Sequence, residues 1–177
     1  MKDVVALGEL LIDFAPVSTD ESGYPTLKAQ PGGAPGNFLA ALQKYSCSTA
    51  LIGKGGDDAF GHLLVGTLQE LGIGTEGITL DPNVFTTLAF VTLDGTGNRS
   101  FSFARKPGAD TCLRVEEVDH SLIDGCKVFH FGTLSLTNEP ARGATQAAVA
   151  YAKEKGKYIS FDPNLRKPLW NSEEDAK

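Results

Sequence analysis

The chain has 177 residues, a usual length for one domain with a real core, and 41% of them are hydrophobic against 21% charged. Sixteen basic and twenty-two acidic residues leave a formal net charge of -6, which argues against a nucleic-acid or anionic-membrane partner. Three scattered cysteines, Cys47, Cys112 and Cys126, with no C-x-x-C pair, argue against a disulfide framework or a zinc site and for a reducing compartment.

Residues 4–8 read as a buried strand, and Leu10, Leu11 and Ile12 continue it to Asp13. The apolar run 4–14 is broken by Glu9 and Asp13, too polar for a secretory signal and too short to span a bilayer, so a cytoplasmic location is expected. Residues 35–45 form a helix with Pro35 near its start and Phe38, Leu39, Ala41 and Leu42 at near-helical spacing. A short strand over 49–52 precedes a second helix over 58–71, capped by Asp57 and closed at Gly72. Further on come a strand at 127–131, a helix at 140–155 ended by Gly156, and a strand at 158–161. Residues 170–177 have the look of a helix start. Strands and helices alternating with glycine at the joints imply βαβ units around a parallel sheet.

One stretch breaks this rhythm. The β-rich runs 86–93 and 99–103 flank Asp94-Gly95-Thr96-Gly97-Asn98 and predict an antiparallel hairpin. In its second run Phe101 and Phe103 alternate with Ser100 and Ser102, giving one apolar face. An edge ribbon of the sheet, a lid and a dimer clasp are all open readings.

The strongest chemical motif is Pro31-Gly32-Gly33-Ala34-Pro35-Gly36-Asn37. Paired glycines before a helix let the main chain approach a ligand at the positive end of the helix dipole, and Asn37 adds a donor and an acceptor. A plain glycine-rich turn is the competing reading. The motif is neither a phosphate-binding G-x-x-x-x-G-K-[ST] loop nor the dinucleotide fingerprint G-x-G-x-x-G. Gly53-Lys54-Gly55-Gly56-Asp57-Asp58 reads as a strand-to-helix turn rather than a phosphate cradle. Asp13 is placed where an apolar strand ends, at the carboxyl edge that binds ligands in open α/β sheets, and serves there either as a sugar-hydroxyl acceptor or as a turn cap. His62, His120 and His130 are scattered, and His130 reads as a half-buried strand residue.

Taken in order, Gly8-Glu9-Leu10-Leu11-Ile12-Asp13-Phe14, Gly32-Gly33-Ala34-Pro35-Gly36-Asn37 and Gly53-Lys54-Gly55-Gly56-Asp57-Asp58-Ala59-Phe60-Gly61 resemble landmarks of the PfkB (ribokinase-like) carbohydrate kinases. Residues 87–91, 99–105 and Phe161-Asp162-Pro163-Asn164-Leu165-Arg166 resemble its fructokinase and 2-keto-3-deoxygluconate kinase branch. Leu39 departs from the small residue usual in the signature at that position.

The resemblance implies an α/β fold, a ribokinase-like α/β/α sandwich with a mostly parallel central sheet. A small β lid is expected from about 14–31 and 86–106, with 1–177 as the N-terminal part of one kinase domain. It implies transfer of phosphate from ATP, with Mg²⁺ and a monovalent cation such as K⁺, to the primary hydroxyl of a ketose, giving fructose 6-phosphate from fructose. A 2-keto-3-deoxygluconate kinase and a non-catalytic kinase-like binding protein are the alternatives. By position, Asp13, Gly32, Gly33 and Asn37 would line the sugar pocket, and Phe101 or Phe103 would close over it. Arg105 and Arg166 would contact the substrate, against a surface salt bridge as the other reading for each. Glu139 would approach the sugar or serve as a first-turn acidic residue beside Pro140. The family's Gly-Ala-Gly-Asp run, with its general base, is absent from the sequence, so the base is expected beyond Lys177, no catalytic or metal residue is assigned, and these 177 residues alone are expected to be inactive. The apolar face with Phe101 and Phe103 suggests a homodimer through the lid.

Overall fold

Alternate side chains of the first strand, β1 (Lys2–Leu7), feed two separate cores. Val5 and Leu7 pack with Ala50, Ile52 and Phe129 on one side, while Val4 and Ala6 pack with Leu39, Leu51 and Leu64 on the other. A strand buried on both faces needs helices over both, as a parallel sheet does. The computed structural model describes residues 1–93, 99–170, 172 and 174–176.

After β1 the chain leaves the first sheet to build an antiparallel pair, β2 (Leu11–Thr19) and β3 (Pro25–Gly32). It returns through helix α1 (Ala34–Gln43) to β4 (Thr49–Gly56), and helix α2 (Ala59–Glu70) leads on to β5 (Gly74–Asp81). A second antiparallel pair follows, β6 (Thr87–Leu93) and β7 (Arg99–Ala104). Two 3-10 turns, Ala109–Cys112 and Val115–Glu117, and a short helix α3 (His120–Asp124) precede β8 (Cys126–Gly132). A further 3-10 turn (Leu134–Leu136), helix α4 (Ala141–Glu154) and β9 (Tyr158–Asp162) complete the main elements.

The main sheet runs β5-β4-β1-β8-β9 with every neighbouring pair parallel. Leu39 of α1 and Leu64 and Leu68 of α2 cover one face. Leu122 and Ile123 of α3 and the stripe Ala141, Ala144, Ala148 and Ala152 of α4 cover the other. That stripe repeats at three and four residues, so the fully buried side chains of α4 in this core are small, with Val149 and Tyr151 packing at its margin. The α/β sandwich expected from the sequence is the fold observed.

The second sheet has the order β3-β2-β6-β7. β2 pairs antiparallel with β3 and parallel with β6, and β6 pairs antiparallel with β7. The hairpin read from the sequence therefore joins β2 and not an edge of the parallel sheet. Its turn, 94–98, lies outside the described residues.

Several expectations are corrected here. Asp13 does not end a strand of the main sheet: the chain breaks at 8–10, and Asp13 is the third residue of β2. Residues 53–56 are not a turn, because β4 stays in register with β5 from Gly53↔Ile78 to Gly56↔Asp81. Lys54 is buried within that strand, its Nζ 2.9 Å from Asp81 and 2.7 Å from Glu117. Asp58, not Asp57, caps α2, accepting from the Phe60 and Gly61 N–H groups at 2.9 Å each. Asp57 lies 2.8 Å from His62 instead. β5 has no counterpart in the sequence reading, and β3 falls within the lid segment that the resemblance implied over about 14–31. The helix start read at 170–177 falls partly on Asn171, Glu173 and Lys177, outside the described residues, and no helix is assigned to the rest.

All three cysteines are free. Among the described residues no group of three His, Cys, Asp or Glu side chains could hold a metal ion, and no helix is long and apolar enough to cross a membrane.

Candidate functional site

Strand alternation carries the first part of the site. In β2 successive side chains point to opposite sides, so Ile12 enters the core while Leu11, Asp13 and Ala15 share the other face. Through β6, where Ala89 pairs with both Asp13 and Phe103, the same face carries Phe101 and Phe103 of β7, and a cavity of about 390 Å³ lies against it, within the usual range for a small-molecule site. The two rings are 6.2 Å apart, and Val91 of β6, paired with Phe101, lines the cavity beside them. Ser100 and Ser102 are exposed on the opposite face. Phe101 and Phe103, on which the homodimer expectation rests, are thus turned to the cavity.

The start of α1 closes one wall with Gly33, Ala34 and Asn37. Gly32, the last residue of β3, makes room for Asp13: a Cβ there would lie 2.4 Å from the Asp13 Oδ2. Gly33 has φ 116°, and its Cβ would lie 2.4 Å from the main-chain oxygen of Glu9. Both the dihedral and the space exclude a side chain. Gly33→Ala is therefore expected to destabilise the fold by about 1–3 kcal/mol and to displace the α1 start. Chemical denaturation checks the first effect, and ligand titration the second. Asn37, one turn into α1, stands exposed on the cavity rim.

The far side comes from the segment after β9. Asn164 and Arg166 both line the cavity. Asn164 has φ 30°, a left-handed conformation that Asn tolerates, and its main-chain N–H donates to Asp162 Oδ1 at 3.1 Å, a turn closed by the Asp162 side chain. Thr133 donates to the Pro163 carbonyl, fastening this segment to the turn that carries Leu134. Burial raises the Asp13 carboxyl above the ordinary aspartate range, and the nearby Arg166 guanidinium partly opposes that.

Two residues expected in the site are elsewhere. Arg105 is buried, and its Nε and one terminal nitrogen donate to Asp110 Oδ2 at 2.9 and 2.6 Å. Its remaining contacts are Thr137 Oγ1 at 2.8 Å and the Leu134 carbonyl at 3.0 Å. A guanidinium engaged on all sides by the protein has no fork left for a ligand. Glu139 lies outside the cavity, exposed, and accepts from the Gly143 N–H at 3.1 Å in the first turn of α4. His130 is buried in β8, stacked on Phe38 at 4.1 Å, with its Nδ1 3.0 Å from the Ser160 hydroxyl. Desolvation holds it below the usual histidine range.

The sequence reading missed Glu9, Leu134 and Asn164. Glu9 is 2% exposed and lines the cavity, with its Oε1 accepting from the Ala34 N–H at 2.9 Å. Burial pushes its carboxyl up to about 7. The signal was present, since Glu9 breaks the same apolar run as Asp13. Together the walls offer a carboxylate acceptor, a guanidinium donor, an amide with both functions and two aromatic rings. That set complements a small, uncharged, polyhydroxylated molecule.

Comparison with known proteins agrees in kind. A family model described as pfkB family carbohydrate kinase matches residues 1–177. "Probable fructokinase-5" of Arabidopsis thaliana is 49% identical over 178 residues, covering 98% of this chain and 54% of that protein. The crystal structure of fructokinase with bound ATP from Xylella fastidiosa superposes with a TM-score of 0.89 at 33% identity, covering 97% of this chain and 52% of that one. A double-mutant fructokinase from Vibrio cholerae O395, in a form binding fructose, ADP and potassium ion, gives 0.83 at 32% identity, covering 99% and 55%. The chain spans about half the length of the relatives it matches.

Proposed function

Because the chain belongs to the pfkB family of carbohydrate kinases, we propose that the protein is an ATP-dependent sugar kinase that phosphorylates a ketose, fructose, on its primary hydroxyl. The observation that carries this reading is the meeting of Asp13, Gly33 and Asn37 on one cavity, from two separate stretches of sequence. Asp13 accepts hydrogen bonds from two sugar hydroxyls, Asn37 bonds a third, and Arg166 donates from the opposite wall. The main chain at Gly33 approaches the sugar because no side chain intervenes. Phe101 and Phe103 cover the sugar's apolar C–H face, so the second sheet acts as a lid over the site.

In this reading the protein's task is positioning: the sugar is held with one hydroxyl presented to the phosphoryl donor, and water is kept from the transfer. ATP supplies the phosphoryl group and a potassium ion is the monovalent cation, as the ligands of the Xylella and Vibrio enzymes suggest, and Mg²⁺ accompanies the nucleotide. The described residues hold no cluster of three metal-ligating side chains, and none of the cavity residues is assigned to these groups.

A 2-keto-3-deoxygluconate kinase would call on arginines for the substrate carboxylate, and Arg105 is already committed to Asp110. The test is phosphorylation by the full-length polypeptide with ATP and each sugar in turn. A kcat/KM for fructose about ten-fold or more above that for 2-keto-3-deoxygluconate is expected, the margin of one lost charge-assisted contact. The reverse preference overturns the fructose assignment. Binding of fructose without turnover identifies a non-catalytic sugar-binding protein.

A further inference from the structure

Helix α1 begins without a side-chain cap of its own. Its N-cap is Gly33, which has no side chain, and Pro35 in the first turn has no N–H. The missing acceptor comes from Glu9, 25 positions earlier, whose Oε1 takes the Ala34 N–H at 2.9 Å. The same residue's main-chain oxygen packs against Gly33 so closely that a Cβ would fall 2.4 Å away. Glu9 thus touches both residues from which α1 starts, and it also lines the cavity.

We propose that Glu9 is a positioning residue for ligand binding: its buried carboxylate fixes the start of α1 and thereby the Gly33 main chain and Asn37 side chain presented to the cavity. Naming that ligand a sugar rests on the function proposed above. A glutamine would supply an acceptor at less desolvation cost. The carboxylate gives a stronger, charge-assisted bond and places a negative charge at the positive end of the helix.

The charged groups around Glu9 are Asp110, which disfavours its ionisation, and Arg105, which favours it, with desolvation outweighing both. Asp13 and Arg166 face the same cavity. Since the carboxyl titrates at about 7 in the fold against 4.5 ordinarily, its contribution to stability is full below 4.5 and is lost as pH rises through about 7. Ionisation, which tightens the α1 start, is therefore bought with fold stability. Stability is lost between 4.5 and about 7, and sugar affinity rises as the folded carboxyl ionises around 7, where that loss is completed.

The experiment compares wild type, Glu9→Gln and Glu9→Ala in the full-length polypeptide. It measures fructose KM and kcat from about pH 6 to about pH 8, and hydrogen exchange at the Ala34 amide by NMR. Glu9→Ala is expected to raise KM about ten-fold with kcat within about two-fold, and to speed Ala34 exchange about ten-fold. In wild type KM falls about three-fold or more across that range, whereas in Glu9→Gln this dependence is lost and melting above pH 7 occurs at a higher temperature. Flattening in Glu9→Gln separates Glu9 from Asp13, which titrates in both proteins. Unchanged KM and unchanged Ala34 exchange in Glu9→Ala overturn the proposal, as does a pH profile that survives in Glu9→Gln. Should Glu9→Ala not fold, Glu9→Gln decides alone through its pH profile. Should wild type phosphorylate no sugar, the function proposed above fails, and Ala34 exchange still decides this one.

Discussion

Arg105→Met is expected to destabilise the fold by about 3–5 kcal/mol, the cost of leaving a buried charge without its partner. Asp110 is 4% exposed, and Arg105 supplies it with two hydrogen bonds. The remaining bond to Asp110 comes from the Thr87 hydroxyl, which cannot offset a full negative charge. Methionine fills much of the arginine's volume, so the loss reads as charge and not as a cavity. Adding Asp110→Asn removes the orphaned charge while keeping an acceptor for Thr87, and is expected to recover about half of the loss. Urea denaturation of the two variants measures both numbers. Wild-type stability in Arg105→Met would mean that water reaches Asp110, against its burial. Part of the damage falls on the site, because Arg105 also holds the Leu134 carbonyl and Leu134 lines the cavity.

Asp13→Ala is expected to lower kcat/KM for fructose by about 10²–10⁴, the equivalent of two hydrogen bonds to a charged acceptor at about 1.5–3 kcal/mol each. Asp13→Asn keeps one acceptor oxygen and loses the charge, so it falls between. Neither change is expected to unfold the protein. The Asp13 carboxyl is raised in the fold, so its contribution to stability is present below the ordinary aspartate value of 3.8 and lost as pH rises above it. At neutral pH a neutral residue at position 13 is therefore no less stable than aspartate. Steady-state kinetics beside a thermal melt separates the two effects: a lost activity with an unchanged melt places Asp13 on the sugar, and unchanged kinetics removes it.

Much of the architecture could be read along the chain because it is written locally. Val4-Val5-Ala6-Leu7 announces a doubly buried strand, and Gly72 and Gly156 stop helices where a left-handed turn is needed, at φ 76° and 68°. β5, and β3 apart from the lid segment that the resemblance implied, were invisible in the residues for a physical reason. β3 carries Pro25 and Pro31 and is mostly exposed, and β5 is an edge strand with a single buried residue, so neither shows the apolar alternation that marks a strand. The break at 8–10 was hidden because Leu10 and Ile12 are as buried as the residues of β1, although Ile12 belongs to another sheet. Residue type pointed to Asp13, Gly33 and Asn37 and the family resemblance to Arg166, all of which line the cavity. It failed for Arg105, because an arginine held by Asp110, Thr137 and Leu134 looks in sequence like one free to bind a substrate. Glu9 interrupts an apolar run in the sequence, but its role needed the fold, because its partner Ala34 is 25 residues away.

The two sheets are stitched together by four chain passages: 8–10, residue 33, 82–86 and 105–108. Any rigid tilt of the smaller sheet has to be absorbed in the φ and ψ angles of these few residues. Two of the passages, through Glu9 and Gly33, are themselves walls of the cavity, and a third is riveted by Arg105 to Asp110. The hinge and the binding surface are thus partly the same atoms. Any such tilt would therefore reshape the cavity wall itself.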